Sequence, residues 1–222
     1  MDIKKVMKER HSVRSFKPLP IPEDLRERID ELVFGCNKDS GLKIQAIYND
    51  PECFDTFLAH YGKFKNANNY IALVGSKRME HLDELCGYYG ERLVLELQDM
   101  GLRSCWVGGS YGKGKCKADA EAGEKIVCVI AFGYGENDGV KHKNKPARKL
   151  CNVAEEDMPT WFRNGMVAAM MAPTALNQQK FYITLEGENV SITSKTRPFS
   201  KVDLGIVKYH FEAVTGRKVT TI

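Results

Sequence analysis

Apolar positions along this chain recur at helical spacing in four stretches, with strand-like runs between them. In residues 22–34, Leu25, Ile29, Leu32 and Val33 share one stripe, Pro22 stands at the first turn, and Glu23 and Asp24 lie at the positive end of the helix dipole. That stretch predicts an amphipathic helix with one core face. Residues 43–48 follow as a strand, and the apolar run 70–74 predicts a strand covered on both sides. A long helix fits 81–100 and stops at Gly101, since glycine takes the left-handed conformation common at helix ends. Residues 103–109 read as the glycine-bearing segment after this helix. Residues 112–117 have no periodic apolar face and predict a mobile loop. A strongly apolar strand over 125–132 leaves through Gly133-Tyr134-Gly135, and a helix over 159–170 follows. A strand over 180–185, a hairpin-like turn at 186–189 and a helix over 202–215 ending at Gly216 complete the chain. Ile206, Val207, His210, Phe211 and Val214 lie on or near one side of that helix, which assigns His210 to packing.

The helix at 159–170 repeats the helix at 22–34 at a constant offset: Pro22 matches Pro159, and Leu25, Ile29, Leu32 and Val33 match Phe162, Met166, Ala169 and Met170. Lys43-Ile44 falls on Lys180-Phe181, so the order helix, loop, strand occurs twice. The pattern implies an α+β chain of one domain, with an internal duplication expected to give halves 1–155 and 156–222 packed together.

At 43% hydrophobic and 28% charged, the 222 residues can bury a substantial core. No run of about 18 apolar residues suggests a membrane span. The opening residues lack the apolar stretch and small-residue cleavage site of a secretory signal, so a cytoplasmic protein without a membrane partner is expected. A net charge of +4 suits an anionic ligand without requiring a polyanion. The densest basic stretch, 141–149, has no interleaved aromatics, and nucleic acid is not an expected partner. Seven cysteines, odd in number and without a C-x-x-C pair, argue against disulfide and metal frameworks. Most of them, Cys128 above all, read as small hydrophobes.

Four segments carry chemistry. In the first, Arg10, Ser12 and Arg14 alternate, and the Pro18-Leu19-Pro20-Ile21-Pro22 run behind them implies extended chain, so all three point to one side. Two guanidinium forks and a hydroxyl on one face suit a phosphate or a carbonyl-rich ring edge, although the same residues could form a solvated arginine cluster. The second segment ends the long helix at 101–109, the third is 145–149, and the fourth is 172–181.

Together these segments resemble the nitroreductase family. The matching residues are Arg10, His11, Ser12, Arg14 and Phe16; the helix leading into Gly101-Leu102 and Trp106-Val107-Gly108-Gly109; the basic run ending in Arg148 and Lys149; and Ala172-Pro173-Thr174 with Asn177 and Gln179. The resemblance implies a nitroreductase-like fold, mainly antiparallel sheet flanked by helices, that binds FMN. Arg10 and Ser12 would hold the phosphate and ribityl chain, Arg14 would sit near flavin N1 and the C2 carbonyl, and His11 would belong to the same cofactor-binding set. Backbone at Val107, Gly108 and Gly109 would approach N5. Arg148 and Lys149 would reach the phosphate, while Pro173, Thr174 and Asn177 would line the ring.

The implied activity passes electrons from NADH or NADPH to a small oxidised acceptor such as a nitroaromatic or quinone, the flavin supplying the redox chemistry. A flavin-binding protein without turnover is the alternative. This chain departs from the family pattern with Arg103 where a small residue is usual, Thr174 for serine and Lys180-Phe181 for Pro-Trp. The fourth segment also follows the second amphipathic helix rather than the first. A duplicated chain could thus complete a flavin site from its own two halves, as a pseudo-dimeric monomer or within a homodimer.

Overall fold

The computed structural model describes residues 1–57, 62–141, 143–195 and 197–222. Its chain forms two compact units, one of Arg10–Leu82 and Leu93–Val140, the other of Met1–Glu9, Asp83–Arg92 and Lys141–Ile222.

In the first unit, helix α2 (Glu23–Ser40) starts behind Pro22 and is closed by Gly41, whose φ of 72° lets its N–H reach the Asn37 carbonyl. The helix runs past the expected end at Phe34, because Cys36 continues the buried stripe of Ile29 and Val33. Asn37 then holds the exit, its amide bonding both the carbonyl and the N–H of Ile44 at 2.9 and 2.7 Å. Strands β1 (Gln45–Ile47), β2 (Asn69–Ser76), β3 (Arg103–Val107) and β4 (Glu124–Gly133) form an antiparallel sheet in the order β1-β2-β4-β3. The central β2 is buried along nearly its whole length, as its apolar run predicts. Strand β3 is an addition to the expected elements. Five residues after a glycine carry little periodic signal, and the ladder from Arg103↔Gly133 to Val107↔Val129 makes them a strand. The core below the sheet is built around Phe16, Phe54, Tyr70 and Tyr111.

The expected mobile loop at 112–117 is tied to this core. The Gly112 N–H donates to the Cys53 carbonyl at 2.7 Å, and the Lys117 N–H donates to the Tyr70 hydroxyl at 2.9 Å. Glycine and lysine content disguised a segment held by partners far away in sequence.

In the second unit, strands β5 (Phe181–Glu186) and β6 (Asn189–Ser194) form the expected hairpin through Gly187, whose φ is 60°. Strand β7 (Val219–Thr221) adds to β6 in parallel. Helix α1 (Ile3–Glu9) packs against α4 (Thr160–Met171) and α5 (Ser200–Thr215). Pro159 opens α4 as Pro22 opens α2, and a strand follows each helix.

Helix α3 (Leu82–Asp99) contributes Asp83–Arg92 to this second unit, where it meets α5 backbone to backbone. A Cβ on Gly205 would lie 1.9 Å from the Glu84 carbonyl oxygen, and one on Gly87 would lie 2.0 Å from that of Val202. One turn further, His210 on α5 and Glu91 on α3 are both 0% exposed and 2.8 Å apart. The other ring nitrogen of His210 lies 3.0 Å from the Ala168 carbonyl, which can only accept, so Nδ1 carries a proton. A second proton must then lie between Nε2 and Glu91, whether it belongs to the imidazole or to the carboxyl. The packing histidine read from the sequence is a paired polar group.

Two glycine substitutions separate helix propensity from packing. Alanine favours a helix over glycine by about 1 kcal/mol. Gly35 has nothing within 4 Å of an added Cβ, so Gly35→Ala should raise stability by up to that amount. Gly205→Ala carries the same gain but forces two helix backbones apart, and should destabilise by about 1–3 kcal/mol. Urea unfolding of the two variants checks both signs.

Candidate functional site

The segment after α1 is held as an edge to β3. The Val13 N–H donates to the Ser104 carbonyl at 3.0 Å, and Ser12 forms a parallel bridge with Ser104. Val13 and Phe16 drop into the core. Arg10 is only 3% exposed, Ser12 is half-buried and Arg14 is exposed. All three act on one point, the Cys105 thiol on β3. Burial pushes that thiol up from its ordinary value, while the positive charges of Arg14 and Arg10 and a hydrogen bond with Ser12 oppose the rise. The structure thus brings the alternating triplet together and adds Cys105, which the sequence analysis had treated as packing. A cysteine three residues before the Gly108-Gly109 pair was the available signal.

Residues 134–140 lie against this edge. Gly139, with a φ of 75°, passes so close that an added Cβ would stand 2.7 Å from His11 Cβ. Arg103 places Nη2 and Nε at 2.7 and 3.1 Å from one oxygen of Asp138. Its stem fills the space where a Cβ on Gly135 would sit, 2.6 Å from Arg103 Cγ. The departure at Arg103 therefore leaves the turn after α3 intact and joins it to the following loop. Strand β3 ends with Val107 buried and Gly108 half-buried. Gly109 is exposed, with nothing within 4 Å of an added Cβ. Backbone there faces open space.

In the second unit, residues 143–145 and 174–179 form one hydrogen-bonded network. Gln179, buried, accepts the Lys145 N–H at 2.7 Å and donates to Asn144 and Asn177 at 3.2 and 3.3 Å. Lys145 Nζ donates to the carbonyls of Gln178 and Gln179 at 2.6 and 3.0 Å. Thr174 Oγ1 accepts the Gln179 N–H at 3.0 Å, and Asn177 Nδ2 donates to the Lys143 carbonyl at 2.9 Å. Three of four successive residues are left-handed: Leu176, Asn177 and Gln179 have φ of 52°, 50° and 42°. For residues with a Cβ that costs on the order of 1 kcal/mol each, and Leu176 is also 90% exposed. The network is what holds this turn.

Asp203 at the start of α5 accepts the Ala175 N–H at 2.9 Å. Burial pushes its carboxyl up to about 7, the Ala175 hydrogen bond acting in the opposite direction. Pro173 is half-buried, Thr174 buried and Asn177 exposed. Arg148 and Lys149 lie exposed on a single 3₁₀ turn, Ala147–Lys149. Of the basic segment it is Lys145, which the sequence analysis passed over, that joins the network. Gln179 and Asp203 were also missed. Gln179 belongs to the quoted motif, whereas nothing in sequence links Asp203 to residue 175. A surface depression lined by Arg28, Glu31, Leu32, Glu96 and Met100 contains no candidate site residue. No helix among the described residues is long and apolar enough to cross a membrane.

A family model described as "Putative TM nitroreductase" matches residues 2–215. Among solved structures, a "putative nitroreductase" of Thermotoga maritima is similar over 98% of this chain and 87% of that one, with a TM-score of 0.70 and 23% identity. A "putative nitroreductase in complex with FMN" from Desulfovibrio desulfuricans matches over 68% of this chain and 95% of that one, with a TM-score of 0.52 and 16% identity. A "Putative NADH dehydrogenase/NAD(P)H nitroreductase" of Parabacteroides distasonis matches over 68% and 96%, with a TM-score of 0.54 and 18% identity. No curated protein matches. The structural likenesses establish the fold, mixed helix and antiparallel sheet of the nitroreductase type.

The Asp203 contact predicts a pH dependence of stability. A carboxyl raised from 3.8 to about 7 on folding favours its protonated form in the native state. Stability should therefore fall as pH rises between those values and level off above them, by up to about 4 kcal/mol. Asp203→Asn keeps an oxygen acceptor for Ala175 and removes the charge, so its urea midpoint should lose this slope and exceed the parent's at pH 8. Parallel slopes in both proteins would contradict the assignment.

Proposed function

The chain belongs to the "Putative TM nitroreductase" family, and from that membership we propose that it is an FMN-dependent oxidoreductase moving electrons from NADH or NADPH to a small oxidised acceptor, such as a nitroaromatic or quinone. The observation that carries the proposal is the convergence of Arg10, Ser12 and Arg14 beside the open end of β3. The FMN in the Desulfovibrio structure and the donor in the Parabacteroides protein's name support the choice of cofactors.

The residues present fit such a cofactor. Two guanidinium groups whose charge reaches the Cys105 thiol, and a hydroxyl that hydrogen-bonds it, offer charge-assisted donors to an anion, which a dianionic phosphate needs to offset its desolvation. Arg10 and Ser12 are assigned to the phosphate and ribityl chain, Arg14 to N1 and the C2 carbonyl, and His11 to the cofactor site beside them. Val107, Gly108 and Gly109 present backbone that no side chain covers on the Gly109 side, which suits a hydrogen bond to N5. Arg148 and Lys149, exposed and on a short turn, are assigned to the phosphate. Pro173, Thr174 and Asn177 are assigned to the ring. The Asn177 amide is aimed by its bonds to Lys143 and Gln179, so its orientation is set before any ligand arrives. Bound FMN would accept hydride at N5 and release electrons to the acceptor. The chain's own part is to bind, to orient and to place positive charge. No acid–base dyad is required.

The purified protein should carry one FMN per chain, bleached by NADH or NADPH and recoloured by a quinone. Bound flavin that neither nucleotide bleaches would instead mark a storage or sensing protein. Arg10→Ala and Arg148→Ala should each weaken FMN binding roughly ten- to a hundredfold, the loss of a charged donor being worth about 1.5–3 kcal/mol. Equal flavin loss on dialysis of Arg148→Ala and the parent would remove that residue from the phosphate.

A cation near N1 favours the more negative reduced cofactor, so Arg14→Met should lower the midpoint potential by roughly 30–60 mV with less effect on affinity. Dye-equilibrated reduction measures the shift, and an unchanged potential with flavin fully bound would assign Arg14 to the surface cluster.

A further inference from the structure

Cys53 and Cys116 stand apart from the other five cysteines. Cys53 lies in the single 3₁₀ turn Glu52–Phe54 and is 0% exposed. Cys116 follows the turn Lys113–Lys115 and is the one cysteine that is not buried. The two turns are held against each other by backbone. The Gly112 N–H donates to the Cys53 carbonyl at 2.7 Å, and the Cys116 N–H donates to the Gly112 carbonyl at 3.0 Å. A Cβ on Gly112 would stand 2.7 Å from the Thr56 methyl and 3.3 Å from the Cys53 carbonyl, so glycine is what lets the turns approach.

Cys53 lies in the buried cluster of Tyr70 and Tyr111, and Cys116 packs against that cluster, which brings the two thiols within interaction of each other. The bond from Cys53, with a further one from the Ala118 N–H, pulls the Cys116 thiol below its ordinary value. Burial and the negative charge of Asp50 oppose that shift. Cys53 is pushed up, first by the same bond and then by burial. Tyr70 is itself held by Asp50 at 2.7 Å, and Lys117 lies 3.2 Å from the other Asp50 oxygen. The Tyr111 hydroxyl is buried with no hydrogen-bond partner among the described residues, in the same cluster as Cys53 and against Cys116. A spare donor facing thiols is costly unless something there accepts from it.

We propose that Cys116 and Cys53 form a redox site for hydroperoxides, Cys116 being the attacking sulfur and Cys53 the resolving one. The Cys116 thiolate attacks a peroxide oxygen: an S–O bond forms, the O–O bond breaks, and hydroxide or alkoxide leaves. The sulfenic oxygen is the acceptor that Tyr111 lacks. Cys53 sulfur then attacks Cys116 sulfur. An S–S bond forms, the S–O bond breaks, and the departing hydroxide takes the Cys53 proton as water. Two thiols are oxidised by two electrons, and hydrogen peroxide is reduced to water. The remaining cysteines are buried, and burial pushes Cys105 and Cys151 up, away from the thiolate form that reacts. The site uses no residue assigned to flavin, so it stands or falls independently of that function.

The test treats the full-length protein with near-stoichiometric hydrogen peroxide. The expected result is loss of two of the seven free thiols, an intact mass lower by two hydrogens, and a peptide linking Cys53 to Cys116 that dithiothreitol releases. Cys53→Ala should stop at sulfenic acid, with dimedone captured on Cys116. Cys116→Ser should keep its six thiols. Oxygen accumulating on Cys116 of the parent without a link, or equal thiol loss in Cys116→Ser, would overturn the proposal. The peptide map of the parent decides the matter even if Cys53→Ala does not fold.

Discussion

The contact between α3 and α5 governs the second unit. Helix axes with ordinary side chains between them stay about 8–10 Å apart. Gly87 and Gly205 remove the side chain from each side at the points where the opposing carbonyls would meet a Cβ at about 2 Å. Once the backbones touch, the neighbouring register follows. Glu91 faces His210, and Lys208 reaches Glu84 at 2.6 Å. The buried pair is satisfied only in this register. A slip of one residue would leave a carboxyl and an imidazole without partners, at a cost of several kcal/mol. The same placement of α5 delivers Asp203 to the Ala175 N–H, so the start of the strained 174–179 turn inherits its position from two glycines on other helices.

The strain at Leu176, Asn177 and Gln179 has a local counterweight. Gln179 spends its amide on the Lys145 backbone and two asparagines, and Lys145 caps the carbonyls that the turn turns outward. Without these bonds an exposed leucine at positive φ would relax. With them the turn holds the Asn177 amide steady. Preorganised polar groups of this kind lose little freedom when a ligand binds, which is where a rigid turn helps function.

The first unit reaches its functional edge by a different route. Strand β2 sits at the centre of the antiparallel sheet and β3 at its rim, and the segment around Ser12 extends the rim by a single bridge. Because Val13 and Phe16 are anchored in the core, the residues between and before them are carried as passengers. Arg10 is drawn out of water and Arg14 is left in it. An alternating pattern alone would have treated the two guanidinium groups as equivalent.

Much of this was legible from local signals. Pro22, Pro159, Gly101, Gly187 and Gly216 mark element ends because their backbone preferences act within a few residues, and the apolar runs of β2 and β4 read as buried strands for the same reason. The motif residues of the site could be named because they are contiguous. What sequence periodicity could not supply are the relations between distant residues. Nothing short-range announces that Arg103–Val107 pairs with β4, that α2 continues to Ser40, or that the lysine-rich loop is tied to Cys53 and Tyr70. Lys145, not Arg148, enters the polar network, and Asp203 reaches residue 175, through contacts spanning about thirty residues. The chain by itself determined which segments are helices, strands and turns, since those depend on near neighbours. Only the tertiary structure decided which charges are buried, which thiols meet and which amide is held still, because burial and pairing belong to the packed chain rather than to any stretch of it.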